Sequence, residues 1–206
     1  MKFFLRKHIY KMANIFTIIY LGYFLYRAFV IGNREFAGYI FMFILLFILA
    51  NLFFEKYVRQ YIYLYSFIVG FLLLHILGGI IYLDGIKMYD YYFFGLVRYD
   101  WFMHILGGFL SARIAYEMVK ENFIYTKNSS QILIMIIIVL AIGVGTLNEI
   151  IEFIAVIFLN AQEAVGGYYN NLTDICNNLL GSIIYLLVFS KSHKFKEYNF
   201  EQNKKS

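Results

Sequence analysis

Runs of roughly twenty mostly apolar residues recur six times along this chain, and that length is what an α-helix needs to cross the hydrocarbon core of a bilayer. The runs lie near 12–31, 36–54, 61–82, 101–119, 131–157 and 172–189. Leu, Ile, Phe and Tyr dominate them, and none alternates strictly as a barrel strand would. Of the 206 residues, 62% are apolar or aromatic and 15% are charged. A soluble domain of this length could not hide so much apolar surface in one core. The expected fold is therefore all-α, a polytopic integral membrane bundle of six transmembrane helices. Short connections make neighbouring helices antiparallel. Residues 1–190 read as a single transmembrane helical domain, and 191–206 as a basic cytoplasmic tail, disordered or lying on anionic headgroups.

The charges set the expected orientation. With the N-terminus inside, the cytoplasmic segments hold Lys2, Arg6, Lys7, Lys11, Lys56, Arg59, Lys120, Lys127, Lys191, Lys194, Lys196, Lys204 and Lys205. The outer segments hold only Arg27, Arg34, Lys87 and Arg98. This bias predicts that both termini are cytoplasmic in a multi-pass protein of the cell membrane. The net charge of +5 thus reports topology, and no nucleic-acid partner is expected. The basic segment Met1–Lys11 resembles the start of a signal peptide. The run after it is long, aromatic and without a small-x-small cleavage site, so a retained first helix is expected. A single cysteine, Cys176, excludes an internal disulfide and any zinc ribbon. The absence of proline excludes proline kinks.

Ionisable side chains inside a bilayer are costly unless they are paired or face a cavity, so they carry the functional signal. The third run holds His75, the fourth Asp100, His104 and Arg113, the fifth Asn148, Glu149 and Glu152, and the sixth Asp174, Asn177 and Asn178. Asp100 and His104 share a helix face, as do Glu149 and Glu152, and Asp174 and Asn178. In the expected topology His75 and all three pairs fall in the outer half of the membrane, which implies one buried polar pocket open to the outside. Simpler roles stand beside this one. Asp100 and Asp174 could satisfy helix N-termini. Glu149 and Glu152 could lie at the interface. His75 could be a hydrogen-bonded core histidine, and Arg113 a partner for a buried acid or a snorkelling side chain.

Two histidines among several carboxylates suit a divalent metal such as Zn, Mn or Fe, and facing helices are a common way to assemble such a set. The expected ligands are His75, Asp100, His104, Glu149 and Asp174. The metal-free form of the same chemistry uses His104, Glu149, Glu152 and Asp100 as catalytic acids and bases. Asn178, Asn148 and Arg113 would then contact substrate. The string His-Ile-Leu-Gly-Gly occurs at His75–Gly79 and again at His104–Gly108. Gly78 and Gly107 within it permit close helix contacts.

Over residues 70–185 the chain resembles the YjdF-like inner-membrane family, within the wider VanZ-like group. The resemblance rests on His75-x-x-Gly78-Gly79-x-x-Tyr82, on Arg98-Tyr99-Asp100-x-x-x-His104-x-x-x-Gly108-Phe109, on Asn148-Glu149-Ile150-Ile151-Glu152-Phe153, and on Asp174-x-x-x-Asn178-x-x-Gly181. It departs at Asn170, where YjdF-like sequences often have a further aspartate, leaving one candidate ligand fewer. VanZ-like proteins are associated with low-level teicoplanin resistance, so the resemblance implies the cell envelope.

The expected function is a membrane enzyme or binder, a metal-dependent hydrolase if it does chemistry. Its partners would be membrane lipids or a lipid-linked envelope substrate. A small transporter or its substrate-binding subunit is the alternative, followed by a structural or immunity-type membrane protein. The orientation is testable at once: a C-terminal green fluorescent protein fusion should fluoresce and a C-terminal alkaline phosphatase fusion should be inactive. The opposite pair of results would reverse the topology.

Overall fold

The computed structural model describes residues 2–120, 129–159 and 167–190. Six long helices carry the fold: α1 (Lys2–Ile31), α2 (Arg34–Gln60), α3 (Ile62–Ile80), α4 (Tyr99–Val119), α5 (Ser129–Leu159) and α6 (Tyr168–Ser190). The chain is an all-α polytopic membrane bundle. Four segments are long and apolar enough to cross a membrane by themselves: Leu5–Ile31, Ile62–Ile80, Gln131–Phe158 and Tyr168–Phe189. The apolar stretch of α2 is shorter, Phe36–Leu52. At 21 residues α4 is long enough, but it carries Asp100, His104, Arg113 and Glu117. The polar tail expected over 191–206 lies outside the described residues.

Several helices run past their apolar segments. The first extends back through the basic residues to Lys2, because hydrophobicity marks the part that wants lipid, whereas the helix itself continues until something stops it. The stop between α1 and α2 is Gly32-Asn33. Gly32 takes φ +77, a left-handed conformation that glycine adopts without a Cβ penalty. The Asn33 amide donates to the Ala28 carbonyl at 3.0 Å, closing the end of α1. The Asn33 side-chain oxygen then accepts from the Phe36 amide at 3.0 Å, capping the start of α2. Two residues thus end one helix and begin the next.

Between α3 and α4 lie two short β-hairpins that the apolar pattern did not announce. Tyr82–Leu83 (β1) pairs antiparallel with Ile86–Lys87 (β2), and Tyr92–Phe93 (β3) pairs with Val97–Arg98 (β4). A 3-10 turn, Met88–Asp90, separates them. Asp84 and Gly85 at the first tip have φ values of +52 and +79. Asp-Gly is among the strongest hairpin signals for this reason. At the second tip Phe94 and Gly95 have φ values of +55 and +67.

The helices gather into two compact units, Met1–Tyr91 and Tyr92–Ser206. In the first, α1, α2 and α3 close on a core that includes Tyr20, Leu21, Ile40, Ile62, Tyr65 and Ile76. A polar network crosses this core. Tyr10 and Asn14 both donate to Asn51 Oδ1, at 2.6 and 2.9 Å, and Tyr65 donates to Asn14 Oδ1 at 2.6 Å. Asn51 donates in turn to the Phe47 carbonyl at 2.8 Å. Every partner is supplied by the helices themselves, which is how buried polar groups are tolerated in lipid.

In the second unit α4 packs most extensively on α6 and next on α5. Ala112, Ala115, Leu133, Ile137, Ala141 and Tyr185 form its core. The α4–α6 contact is backbone against backbone. A Cβ on Gly181 would collide with the Ile105 carbonyl, and one on Gly108 with the Asn178 carbonyl. Gly181→Ala is therefore expected to cost about 1–3 kcal/mol through overpacking. Gly143→Ala, where a Cβ meets nothing within 4 Å, should be neutral or slightly stabilising. Thermal unfolding of both variants in detergent checks the contrast.

Candidate metal centre

The centre is built in the second unit from one polar turn on each of three helices. On α4, Asp100 and His104 are one turn apart and face the same way. On α6, Asp174 and Asn178 repeat that spacing, and α5 contributes Glu149. Glycines let these turns converge. Gly108 lies one turn beyond His104 and takes the α6 backbone at Asn178. Gly145 lies one turn before Glu149 and takes the Asn178 side chain, whose Nδ2 would be 2.6 Å from an added Cβ. The helices can therefore approach more closely here than any larger residue would allow.

The imidazole of His104 is the hub. Its Nε2 is 3.5 Å from Asp100 Oδ1 and 3.7 Å from Asp174 Oδ1. Its Nδ1 is 3.2 Å from Asn178 Nδ2 and 4.0 Å from Glu149 Oε1. One ring nitrogen thus looks at two aspartates and the other at an amide and a glutamate. Each aspartate is also held from behind. Arg98 pairs with Asp100 Oδ2 at 2.9 Å, and Asn170 donates to Asp174 Oδ2 at 2.6 Å. The second oxygen of each is what faces His104.

The arrangement leaves acceptors unmatched. Asp174 is fully buried and Glu149 nearly so. Among the described residues, Asp174 Oδ1 and both Glu149 oxygens have no hydrogen-bond donor. A buried carboxylate oxygen without a donor is expensive unless a cation or proton completes it. One ligand atom each from Asp100, His104 and Asp174 lies within 4.8 Å of the other two. Four-coordinate zinc at its usual bond lengths spaces neighbouring ligand atoms by about 3.4 Å. The two Nε2–carboxylate distances are close to that, and all three atoms lie within 4.8 Å of one another, so the donor set suits a small divalent ion in type and would hold one after drawing together slightly. Nδ1 would then carry the proton and donate towards Glu149 or the Asn178 amide, whose oxygen and nitrogen exchange by a simple flip.

Glu152 borders the centre, within electrostatic reach of Glu149, His104 and Asp100, and Asn148 donates to its Oε1 at 2.8 Å. Arg113 and His75 fall elsewhere. Arg113 pairs with Glu117 at the other end of α4, where Lys120 binds the same carboxylate. The Arg113 guanidinium also lies 4.9 Å from the centre of the Phe189 ring. It is thus the partner for a buried acid, one of the roles open to it from sequence. His75 belongs to the first unit. Its ring meets Phe43 and Tyr89 edge-on at 5.2 and 5.3 Å, and the Tyr89 hydroxyl donates to its backbone carbonyl at 2.9 Å.

The roles of three residues escaped the sequence reading. Arg98 counted there as an outer-loop charge and as the head of the Arg98-Tyr99-Asp100 motif, but was given no role at Asp100. Asn170 counted as a missing acid, yet it supplies the donor that orients Asp174. Its spacing of four was the available signal. Glu117, buried between two cations, was also overlooked. Arg113→Gln is expected to lower stability by about 1–3 kcal/mol, because Glu117 loses one of its charged partners in a buried setting. Thermal unfolding measures that loss, and any property of the His104 centre should be unchanged.

A family model described as "Predicted membrane protein (DUF2238)" matches residues 12–195. No curated protein and no solved structure matches the chain.

Proposed function

The chain belongs to this family of predicted membrane proteins, and we propose that its second unit is a membrane-embedded divalent-metal centre that binds or hydrolyses a lipid or lipid-linked envelope component. One observation carries the reading: one ligand atom each from Asp100, His104 and Asp174, all of them buried or nearly so, lie within 4.8 Å of one another. Glu149, with two buried oxygens and no donor among the described residues, stands behind the other ring nitrogen. That is the carboxylate–histidine–metal order that fixes a ligand's tautomer.

The donor set suits Zn, Mn or Fe. A bound ion would polarise a phosphoryl or carbonyl oxygen and make its coordinated water a nucleophile near neutral pH. The residues of the chain do the rest. Asp100 and Asp174 would hold the ion, each anchored through its outer oxygen by Arg98 or Asn170. Glu149 would accept the hydrogen bond from the His104 Nδ1–H, which leaves Nε2 deprotonated for the ion. Asn178 and the glycine-tight packing around it keep the imidazole from turning. Glu152, held by Asn148, extends the acidic face of α5 and offers a proton carrier.

The topology expected from the charges complements this reading. Six spans with both ends cytoplasmic would place the start of α4, the late part of α5 and the start of α6 on the outer side. The resemblance to YjdF-like and VanZ-like proteins supports an envelope role there.

The test is metal analysis of the full chain purified in detergent and re-exposed to zinc, manganese or iron. Wild type and Arg113→Gln should retain stoichiometric metal, and His104→Ala and Asp174→Asn should lose it. Glu149→Gln should weaken affinity about 10–100-fold, as removal of an outer-shell partner does. Metal should also raise the melting temperature of wild type and not of His104→Ala. A wild-type chain that takes up no metal and shows no thermal shift would overturn the centre. If proteoliposomes of that chain then show proton-coupled flux lost in Glu149→Gln, the carboxylates serve a transporter.

A further inference from the structure

The second hairpin has an unusual tip for a loop beside a spanning helix. Phe94 is 97% exposed and Leu96 76% exposed, and Tyr92 and Val97 are a little under half exposed. Phe94 holds a left-handed backbone, φ +55, which an aromatic residue rarely adopts. Its side chain gains almost no packing against the described residues in return. Water-exposed loops use polar residues at such positions, and an apolar cluster of this kind marks a contact surface.

The base of the hairpin suggests what covers it. Tyr92 meets Trp101 edge-on at 5.8 Å, and Phe93 lies 5.9 Å from Tyr99. Tyr99 lies 6.2 Å from Phe102, itself exposed in the first turn of α4. The apolar tip is thus continuous, through an aromatic collar, with the outer surface of a helix of the bundle. Trp and Tyr concentrate where hydrocarbon meets headgroups, because their rings are apolar and their N–H or O–H tips want water. The one charged residue in the two strands, Arg98, is turned to Asp100 and leaves the tip uncharged.

We propose that the β3–β4 hairpin is a membrane-interface anchor: Phe94 and Leu96 insert into the acyl boundary of the leaflet at the N-terminal end of α4, and the Tyr92–Trp101 collar sits among the headgroups. The occupant of this surface is the lipid itself. One consequence concerns the metal centre: Arg98, and through it Asp100, is held by an element seated in lipid. The proposal goes beyond the metal reading and does not depend on it.

Trp101 is the single tryptophan, so its fluorescence reports from the collar without engineering. The full chain is reconstituted in phosphatidylcholine vesicles whose acyl chains carry bromine either near the glycerol end or near the methyl end. Trp101 should be quenched more strongly by the shallow bromine. A second chain, Phe94→Trp with Trp101→Phe, moves the reporter to the tip. Its emission should be blue-shifted, quenched by brominated lipid and shielded from aqueous iodide. Water-like emission with free iodide access would overturn the proposal. So would shielding from iodide without bromine quenching, which would mean that protein covers the tip, a second copy or another segment of this chain. If the double variant does not fold, Trp101 in the wild-type chain decides: emission that neither bromine position quenches refutes the anchor.

Discussion

The close approach of α4 and α6 is the constraint on which the rest of the second unit depends. Gly108 and Gly181 each leave room for a carbonyl of the opposite helix, that of Asn178 and that of Ile105. Lipid offers no hydrophobic reward for burying one apolar helix against another, so association there relies on fit and on polar contacts. Small residues make the fit. Once the backbones meet at these two points, the turn before Gly108 brings His104 and Asp100 to Asp174 and Asn178. Gly145 then admits the Asn178 side chain on the third side, one turn from Glu149. The chemistry of the centre is a consequence of where glycine permits contact.

Polar groups inside this protein fall into two kinds. Tyr10, Asn14, Asn51 and Tyr65 satisfy one another across three helices. Arg113, Glu117 and Lys120 neutralise one carboxylate with two cations along α4. Both sets find their partners within the chain and serve cohesion. The His104 centre differs, since it gathers three carboxylates around one imidazole and leaves Glu149 and Asp174 oxygens without donors among the described residues. Cohesion alone gives no reason to accept that cost. A bound cation, as proposed, would offset it.

The legible part of the site was the part encoded within single helices. Asp100 with His104, and Asp174 with Asn178, could be read from spacing because residues four apart share a helix face. The same rule grouped Glu149 with Glu152, which borders the centre and takes a hydrogen bond from Asn148, one turn back on its own helix. Arg113 was open to several partners, and only the fold shows that Glu117, on the next turn, claims it. Asn170 looked like a lost ligand until the structure showed its amide holding Asp174 from behind. The hairpins were hidden for another reason. Their strands are two residues long, too short for any periodicity, although Asp84-Gly85 carried the turn signal in plain view.

By itself the sequence determined the solvent. Long apolar runs, few charges and the placement of lysine and arginine require helices in a bilayer, because hydrophobicity and backbone satisfaction depend on composition and on neighbours along the chain. It also determined which side chains share a turn, since helical period is a local property. Only the tertiary structure decided which turns meet. His75 and His104 sit in identical pentapeptides, yet one ring is lined by Phe43 and Tyr89 and the other by carboxylates. The difference lies in what the facing helices present, and that depends on residues far away in sequence, which no local pattern records.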